Sequence, residues 1–138
     1  PPTRGEIELA REWTRRETNA VVSAMQGYQS ATSVGTAGTI TALAAMAQKL
    51  PAYEPARIHN YRLTLATVQE LEQTLLSRRK ADRVGLPGLE KNREDVIAAG
   101  AIILRTVMES LGMSSVLVSD LGLREGVLLH LAGEMKEG

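Results

Sequence analysis

No cysteine and no phenylalanine occur among the 138 residues of this chain, and the other aromatics amount to one Trp and three Tyr. The absence of cysteine excludes disulfides and thiolate metal sites and fits a reducing compartment. The scarcity of aromatics means that the core must be aliphatic. No apolar run reaches the roughly 18 residues that a membrane span requires, and no signal-peptide pattern is visible. Net charge is also lacking, because sixteen basic side chains balance sixteen acidic ones. The chain therefore casts no global field toward a polyanion, and any phosphate must be held by local donors. The lone histidines His59 and His130 have no second ligand at metal spacing, so no metal site is expected within the chain. Neither DNA nor a membrane is an expected partner, and the expected location is cytoplasmic.

What is present is an ordinary globular balance, 43% hydrophobic and 23% charged, enough for one compact unit. Helical patterns dominate. Thr3 and Glu6 form a capping box ahead of a long helix whose apolar stripe reads Ile7, Ala10, Trp13, Ala20, Val21, Ala24 and Met25, with Arg11, Arg15 and Arg16 outside and Gly27 as its end. Residues 31–34 read as a buried strand. Ile40, Leu43, Ala44, Ala47 and Leu50 line a helix stopped by Pro51. Residues 58–63 read as a brief extended segment, and Thr64 as the cap of a helix that turns Val68, Leu71, Leu75 and Leu76 inward. The basic run at 78–83 reads as a solvated helix end, with a polyphosphate-tracking surface as the other reading. Asn92 with Asp95 repeats the capping logic for a helix from Val96 to Leu111, which should be the central buried one, followed by Gly112 and a strand near 115–118.

Two glycine-punctuated turns, each between a strand and a helix, carry the chemistry. The first is Ser33-Val34-Gly35-Thr36-Ala37-Gly38-Thr39-Ile40-Thr41 and the second Ser119-Asp120-Leu121-Gly122-Leu123-Arg124-Glu125-Gly126. Such a turn exposes backbone N–H groups beside a positive helix terminus with no Cβ to block an anion. Phosphate binding is one reading of the first turn, and a plain strand-to-helix turn with capping threonines is the other. Its Gly-x-x-Gly spacing does not make a dinucleotide fingerprint, and the missing lysine excludes a Walker loop. In the second turn, a helix start with Asp120 as cap competes with a ligand role. Arg93 reads either as a guanidinium for phosphate oxygens or as an ion-pair partner of Glu90, Glu94 or Asp95.

These segments resemble the second half of the exopolyphosphatase and guanosine pentaphosphate phosphohydrolase (Ppx/GppA) family, whose core belongs to the actin, sugar kinase and heat-shock ATPase superfamily. The family's Gly-Thr-x-Gly-Thr-x-Thr-x-Leu-Ala pattern reads here as Gly35, Thr36, Gly38, Thr39, Thr41, Leu43 and Ala44. Its Ser-Asp-x-Gly-x-Arg-Glu-Gly pattern reads as Ser119, Asp120, Gly122, Arg124, Glu125 and Gly126. Between them, Ile58-His59-Asn60-Tyr61-Arg62-Leu63 and the segment from Leu86 to Ile97 look like family segments in order. Two departures stand out: Asn60 where the family often has Gly, and Ala37 where it often has Gly or Ser.

The resemblance implies an α/β fold, a partial ribonuclease H-like lobe of the actin-like superfamily. Residues 1–138 would form a single partial domain with two short parallel strands and five or six helices. The family's first lobe, the opening meander of this lobe, its Asp-Gly-Gly-Gly-Ser-type loop and its catalytic glutamate would all lie before Pro1. Two strands make a poor sheet. Either another segment completes it or a second copy covers its edge, which leaves a homodimer open. The implied activity is hydrolysis of the terminal phosphoanhydride of polyphosphate or of the 5′ phosphate of guanosine pentaphosphate. Magnesium and its ligands would come from outside the chain. The phosphate-binding residues would be Gly35, Thr36, Ala37, Gly38, Thr39 and Arg93. Ser119, Asp120, Gly122, Arg124, Glu125 and Gly126 would be architectural, near the hinge, with Arg124 and Glu125 as ion-pair partners. A non-catalytic nucleotide sensor of the same fold and a sugar or acetate kinase lobe are the alternatives.

Overall fold

A computed structural model of the chain describes residues 1–25, 27 and 32–134. The elements run α1 (Arg4–Met25), β1 (Val34–Thr36), α2 (Gly38–Ala47), α3 (Pro55–Ile58), β2 (Arg62–Thr64), α4 (Leu65–Leu76), a 3-10 turn (Lys80–Arg83), α5 (Ile97–Ser110), β3 (Ser115–Ser119) and α6 (Leu123–Glu134). The Met25 side chain and Ala31 lie outside the described residues.

The sheet has the order β1-β3-β2. β1 runs parallel to β3 with Gly35 opposite Val118, and β2 runs antiparallel to β3 with Leu63 opposite Val116. The expected parallel pair is therefore present, and a third strand joins it. Residues 58–63 do not form one extended piece: Ile58 closes the short α3, and the chain straightens only at Arg62. β1 also starts later than residue 31. It begins at Val34 and takes in Gly35 and Thr36, because pairing with β3 extends to the edge of the turn.

Local chemistry sets several boundaries as expected. Glu6 Oε2 accepts from the Thr3 N–H at 2.7 Å while the Glu6 N–H donates to Thr3 Oγ1 at 3.3 Å, which closes the capping box of α1. The Thr64 hydroxyl accepts from the Thr67 N–H at the start of α4. α2 ends at Ala47 before Pro51 is reached, with Lys49 in the left-handed region at φ 51°. Gly88, at φ 81°, lies so close to the end of α2 that an added Cβ would overlap the Ala45 carbonyl and sit 2.5 Å from the Met46 nitrogen. The loop before α5 is thereby seated on α2.

The core is aliphatic, built from Leu43, Leu50, Ile58, Leu63, Leu75, Ile97, Met108 and Val118 around α2 and α5. α5 is the buried central helix, but Val96 and Ile103 are exposed, and its start is not capped as the Asn92–Asp95 spacing predicts. Asn92 sits at φ 67°, the helix begins at Ile97, and its N-cap, Val96, makes no side-chain bond. Asp95 instead pairs with Lys80 at 3.4 Å.

α1 packs along α5, and only the first part of the expected stripe, Ile7 and Ala10, is turned inward. Trp13 is 61% exposed and Val21 is also exposed, while Ile7, Arg11, Thr14 and Thr18 turn inward. The reason is Glu72 on α4, only 1% exposed. It accepts from Arg11 Nη2 at 2.9 Å and Arg105 Nη1 at 2.5 Å, and Arg105 Nε donates to Glu109 at 2.8 Å. Arg11, expected in solvent, is thus part of an ionic bridge joining α1, α4 and α5. The basic run is not fully solvated either. Arg83 is buried and donates from Nε, Nη1 and Nη2 to the carbonyls of Leu75, Glu94 and Arg78. α6 differs from the rest: Leu123, Leu128 and Leu129 are 85%, 66% and 74% exposed.

Candidate functional site

The parallel strands β1 and β3 end side by side, so the two glycine turns that follow them meet. The Thr36 hydroxyl donates to the Leu121 carbonyl at 2.9 Å and ties one turn to the other. Around this junction lies a cleft of about 460 Å³ lined by both turns, Thr41, Tyr53 and Arg93.

Of the residues expected to bind phosphate, Thr36, Ala37, Gly38 and Arg93 line the cleft. Gly35 and Thr39 do not. A Cβ on Gly35 would stand 2.6 Å from Ile40 Cδ1, so its small size serves packing. Thr39 faces α5, where Gly100 leaves it room. Of the residues expected to be architectural, Asp120, Gly122, Arg124 and Glu125 line the same cleft. Ser119 and Gly126 stay in local structure, the Ser119 hydroxyl closing on Leu121 and the Gly126 N–H on the Gly122 carbonyl.

No side chain caps α2; the Ile40 and Thr41 N–H groups close on the Ala37 carbonyl at 3.2 Å, which leaves the Gly38 and Thr39 N–H groups at the positive end of the helix, with Gly38 on the cleft wall. Arg93 reaches this point from the turn before α5 rather than from its first helical turn, and its carbonyl accepts from the Ile97 N–H at 3.0 Å. Its Nε donates to Glu90 Oε2 at 2.9 Å. The Nη atoms lie over Gly38, where a Cβ would collide with Nη1 and stand 2.9 Å from Nη2. Glycine at 38, whose φ is not positive, leaves the guanidinium room to lie there. With Nε occupied by Glu90, the edge left for an anion is the terminal fork.

The α6 start differs. Its Gly122 N–H donates to Glu125 Oε2 at 2.7 Å, which holds the Glu125 carboxyl below its ordinary pKa. Glu125 thus caps its own helix, and no ion pair with Arg124 forms among the described residues. Tyr53, which the sequence reading missed, donates its hydroxyl to Asp120 Oδ1. Burial raises its pKa, and the Asp120 bond adds to that. A tyrosine held between Pro51 and Pro55 was the available signal. His59 Nδ1 accepts from the Asp120 N–H at 3.3 Å, which fixes the far side of the same turn.

The two family departures fall on unusual backbone. Asn60 has φ 65°, which asparagine tolerates. Ala37 has φ 75° and ψ 171°, a conformation that belongs almost entirely to glycine. Ala37→Gly is expected to stabilise the fold by about 1 kcal/mol, since relief of roughly 1–3 kcal/mol of strain exceeds the extra chain entropy of glycine. A rise of a few degrees in Tm checks it, and a fall would refute it.

Cations and carboxylates both border the cleft, but Asp120 and Glu125 are already engaged by Tyr53 and the Gly122 N–H. Among the described residues no cluster of three His, Cys, Asp or Glu is placed to hold a metal. The donor set of the described residues does not by itself fit magnesium.

Residues 1–135 match the model of the Ppx/GppA phosphatase family. Exopolyphosphatase 2 of Mycobacterium tuberculosis is 34% identical over 137 residues, covering 96% of this chain and 43% of that protein. A guanosine-5′-triphosphate,3′-diphosphate pyrophosphatase of Aeromonas hydrophila is 34% identical over 102 residues, covering 74% of this chain and 19% of that protein. The crystal structure of the Aquifex aeolicus Ppx/GppA family member superposes with a TM-score of 0.81 at 29% identity, over 100% of this chain and 43% of that one. The chain thus spans less than half the length of these relatives. The α/β, actin-like lobe expected from the motifs is the fold that these neighbours share.

Proposed function

Because the chain belongs to the Ppx/GppA phosphatase family, we propose that it is the anion-holding part of a phosphatase acting on terminal phosphoanhydrides of inorganic polyphosphate or on the 5′ phosphate of guanosine pentaphosphate. One observation carries the reading: the Arg93 fork lies over Gly38 at the uncapped start of α2. Phosphoryl transfer to water needs little covalent help from a protein, and positioning with charge neutralisation dominates. The α2 N–H groups and the Arg93 fork serve both by gripping the oxygens of the phosphate to be released. Arg124, on the opposite turn, adds positive charge at the rim. The base that orients water and the groups that hold magnesium are assigned to the rest of the protein, since Asp120 and Glu125 are committed to local bonds. The proposed setting is cytoplasmic, and no helix of the described residues is long and apolar enough to cross a membrane.

The division of labour has a direct consequence. The isolated 138-residue chain is expected to release no phosphate from polyphosphate or guanosine pentaphosphate, while the intact protein releases it from at least one of them in a magnesium-dependent way. Phosphate release by the clean chain, abolished by a chelator, would place the missing groups here. An intact protein that binds either compound without turnover would make the protein a sensor.

A further inference from the structure

A cleft that receives phosphate has to keep its own carboxylates off its cations. Glu90 accepts from Arg93 Nε and leaves the terminal fork of that guanidinium open. Glu125 is closed on the Gly122 N–H at the start of its own helix. Asp120, which lines the cleft together with Arg93 and Arg124, is held by a residue distant in sequence: its Oδ1 accepts from the hydroxyl of Tyr53. A carboxylate released among guanidiniums pairs with them and so competes with any anionic ligand for the same donors.

The turn that carries Asp120 does not need Tyr53 for its shape. The Asp120 N–H donates to His59 Nδ1 at 3.3 Å, the Leu121 N–H to Ser119 Oγ at 3.2 Å, and the Thr36 hydroxyl to the Leu121 carbonyl at 2.9 Å. With the backbone fixed on these three bonds, what the Tyr53 hydroxyl decides is where the Asp120 carboxylate is engaged. Tyr53 suits that task, because it sits in a short loop between Pro51 and Pro55, whose rings restrict the backbone on either side. Its hydroxyl keeps the proton that it donates, since burial first and the Asp120 bond second raise its pKa.

We infer that Tyr53 is a positioning residue of the anion site: its hydroxyl engages the Asp120 carboxylate and so keeps the Arg93 and Arg124 guanidiniums available to phosphate. This rests on the reading of the cleft as a phosphate site. The test is calorimetric titration of the intact protein with inorganic tripolyphosphate. Tyr53→Phe, which keeps the ring and loses the bond, should weaken binding about three- to fivefold, the scale of one exposed ion pair. Asp120→Ala breaks the same hydrogen bond but also removes the competing charge, so it should bind at least as tightly as the unchanged protein. Tyr53→Phe combined with Asp120→Ala should return to within about twofold of the unchanged protein, a rescue that a brace for the fold could not give. Equal weakening by the two single variants, or none by Tyr53→Phe, would overturn the inference. Arg93→Ala separates the two levels. Binding that falls with Arg93→Ala and not with Tyr53→Phe removes only the positioning role, whereas binding indifferent to Arg93→Ala removes the phosphate site and the positioning role with it.

Discussion

Replacing Glu72 by alanine in the intact protein is expected to lower the unfolding free energy by about 3–5 kcal/mol, the usual consequence of breaking a buried ion pair from one side. Glu72 is 1% exposed and accepts from both Arg11 and Arg105. Without it, two largely covered guanidiniums lose their shared acceptor, and Arg11 Nε already has no partner. The loss would be felt where α1, α4 and α5 meet, so α1 should detach first. Replacing all three residues by apolar ones of similar volume should restore most of the stability, because an apolar junction needs no desolvated charge. Chemical denaturation midpoints compare the variants. A loss below about 1 kcal/mol for Glu72→Ala would show that water reaches the junction and that the ionic bridge contributes little.

Arg93→Ala should do the reverse, sparing the fold and damaging the chemistry. Its ion pair with Glu90 is half-exposed, and such pairs contribute about 0–1 kcal/mol. A charge-assisted, two-pronged phosphate contact contributes roughly 1.5–3 kcal/mol, so kcat/KM of the intact protein is expected to fall about tenfold to hundredfold. Tm should move by no more than a degree or two. Unchanged kinetics with a Tm loss of several degrees would reassign Arg93 to the fold and leave Glu90 as its purpose. Gly38→Val is a second probe of the same contact, since the branched side chain would occupy the place of the Nη atoms.

Features decided by near neighbours were legible in the sequence. The Thr3 and Thr64 caps, the Gly112 stop and the two glycine turns depend on residues a few positions apart, whereas the parallel pairing of β1 with β3 joins residues about eighty positions apart and followed from the family resemblance. The errors share a different cause. The apolar residues of α1 predict its buried face at Ile7 and Ala10 and fail beyond them, where Arg11 is drawn inward by Glu72, sixty-one positions away. A basic run looked solvated because nothing local shows that Arg83 will be enclosed by three carbonyls. The spacing of Asn92 and Asp95 imitated a helix cap, whereas Asn92 takes a left-handed turn and Asp95 turns to Lys80. Arg93 was picked out, but its approach from a loop onto Gly38, with Glu90 choosing the free edge, is a product of tertiary packing. Tyr53 was missed because its role comes from Asp120, far along the chain.

The leucines on the outside of α6 bear on how this chain behaves as a material. Leu123, Leu128 and Leu129 are exposed on a helix that the other described residues leave largely uncovered, and large exposed apolar side chains make molecules adhere. With sixteen positive and sixteen negative side chains, long-range repulsion that would keep copies apart is missing at neutral pH. The isolated chain should therefore be least soluble near neutrality, scatter light increasingly with concentration and salt, and disperse when Leu128 and Leu129 are both changed to glutamate. Colloidal behaviour, more than folding, sets the conditions under which the expected lack of turnover can be tested.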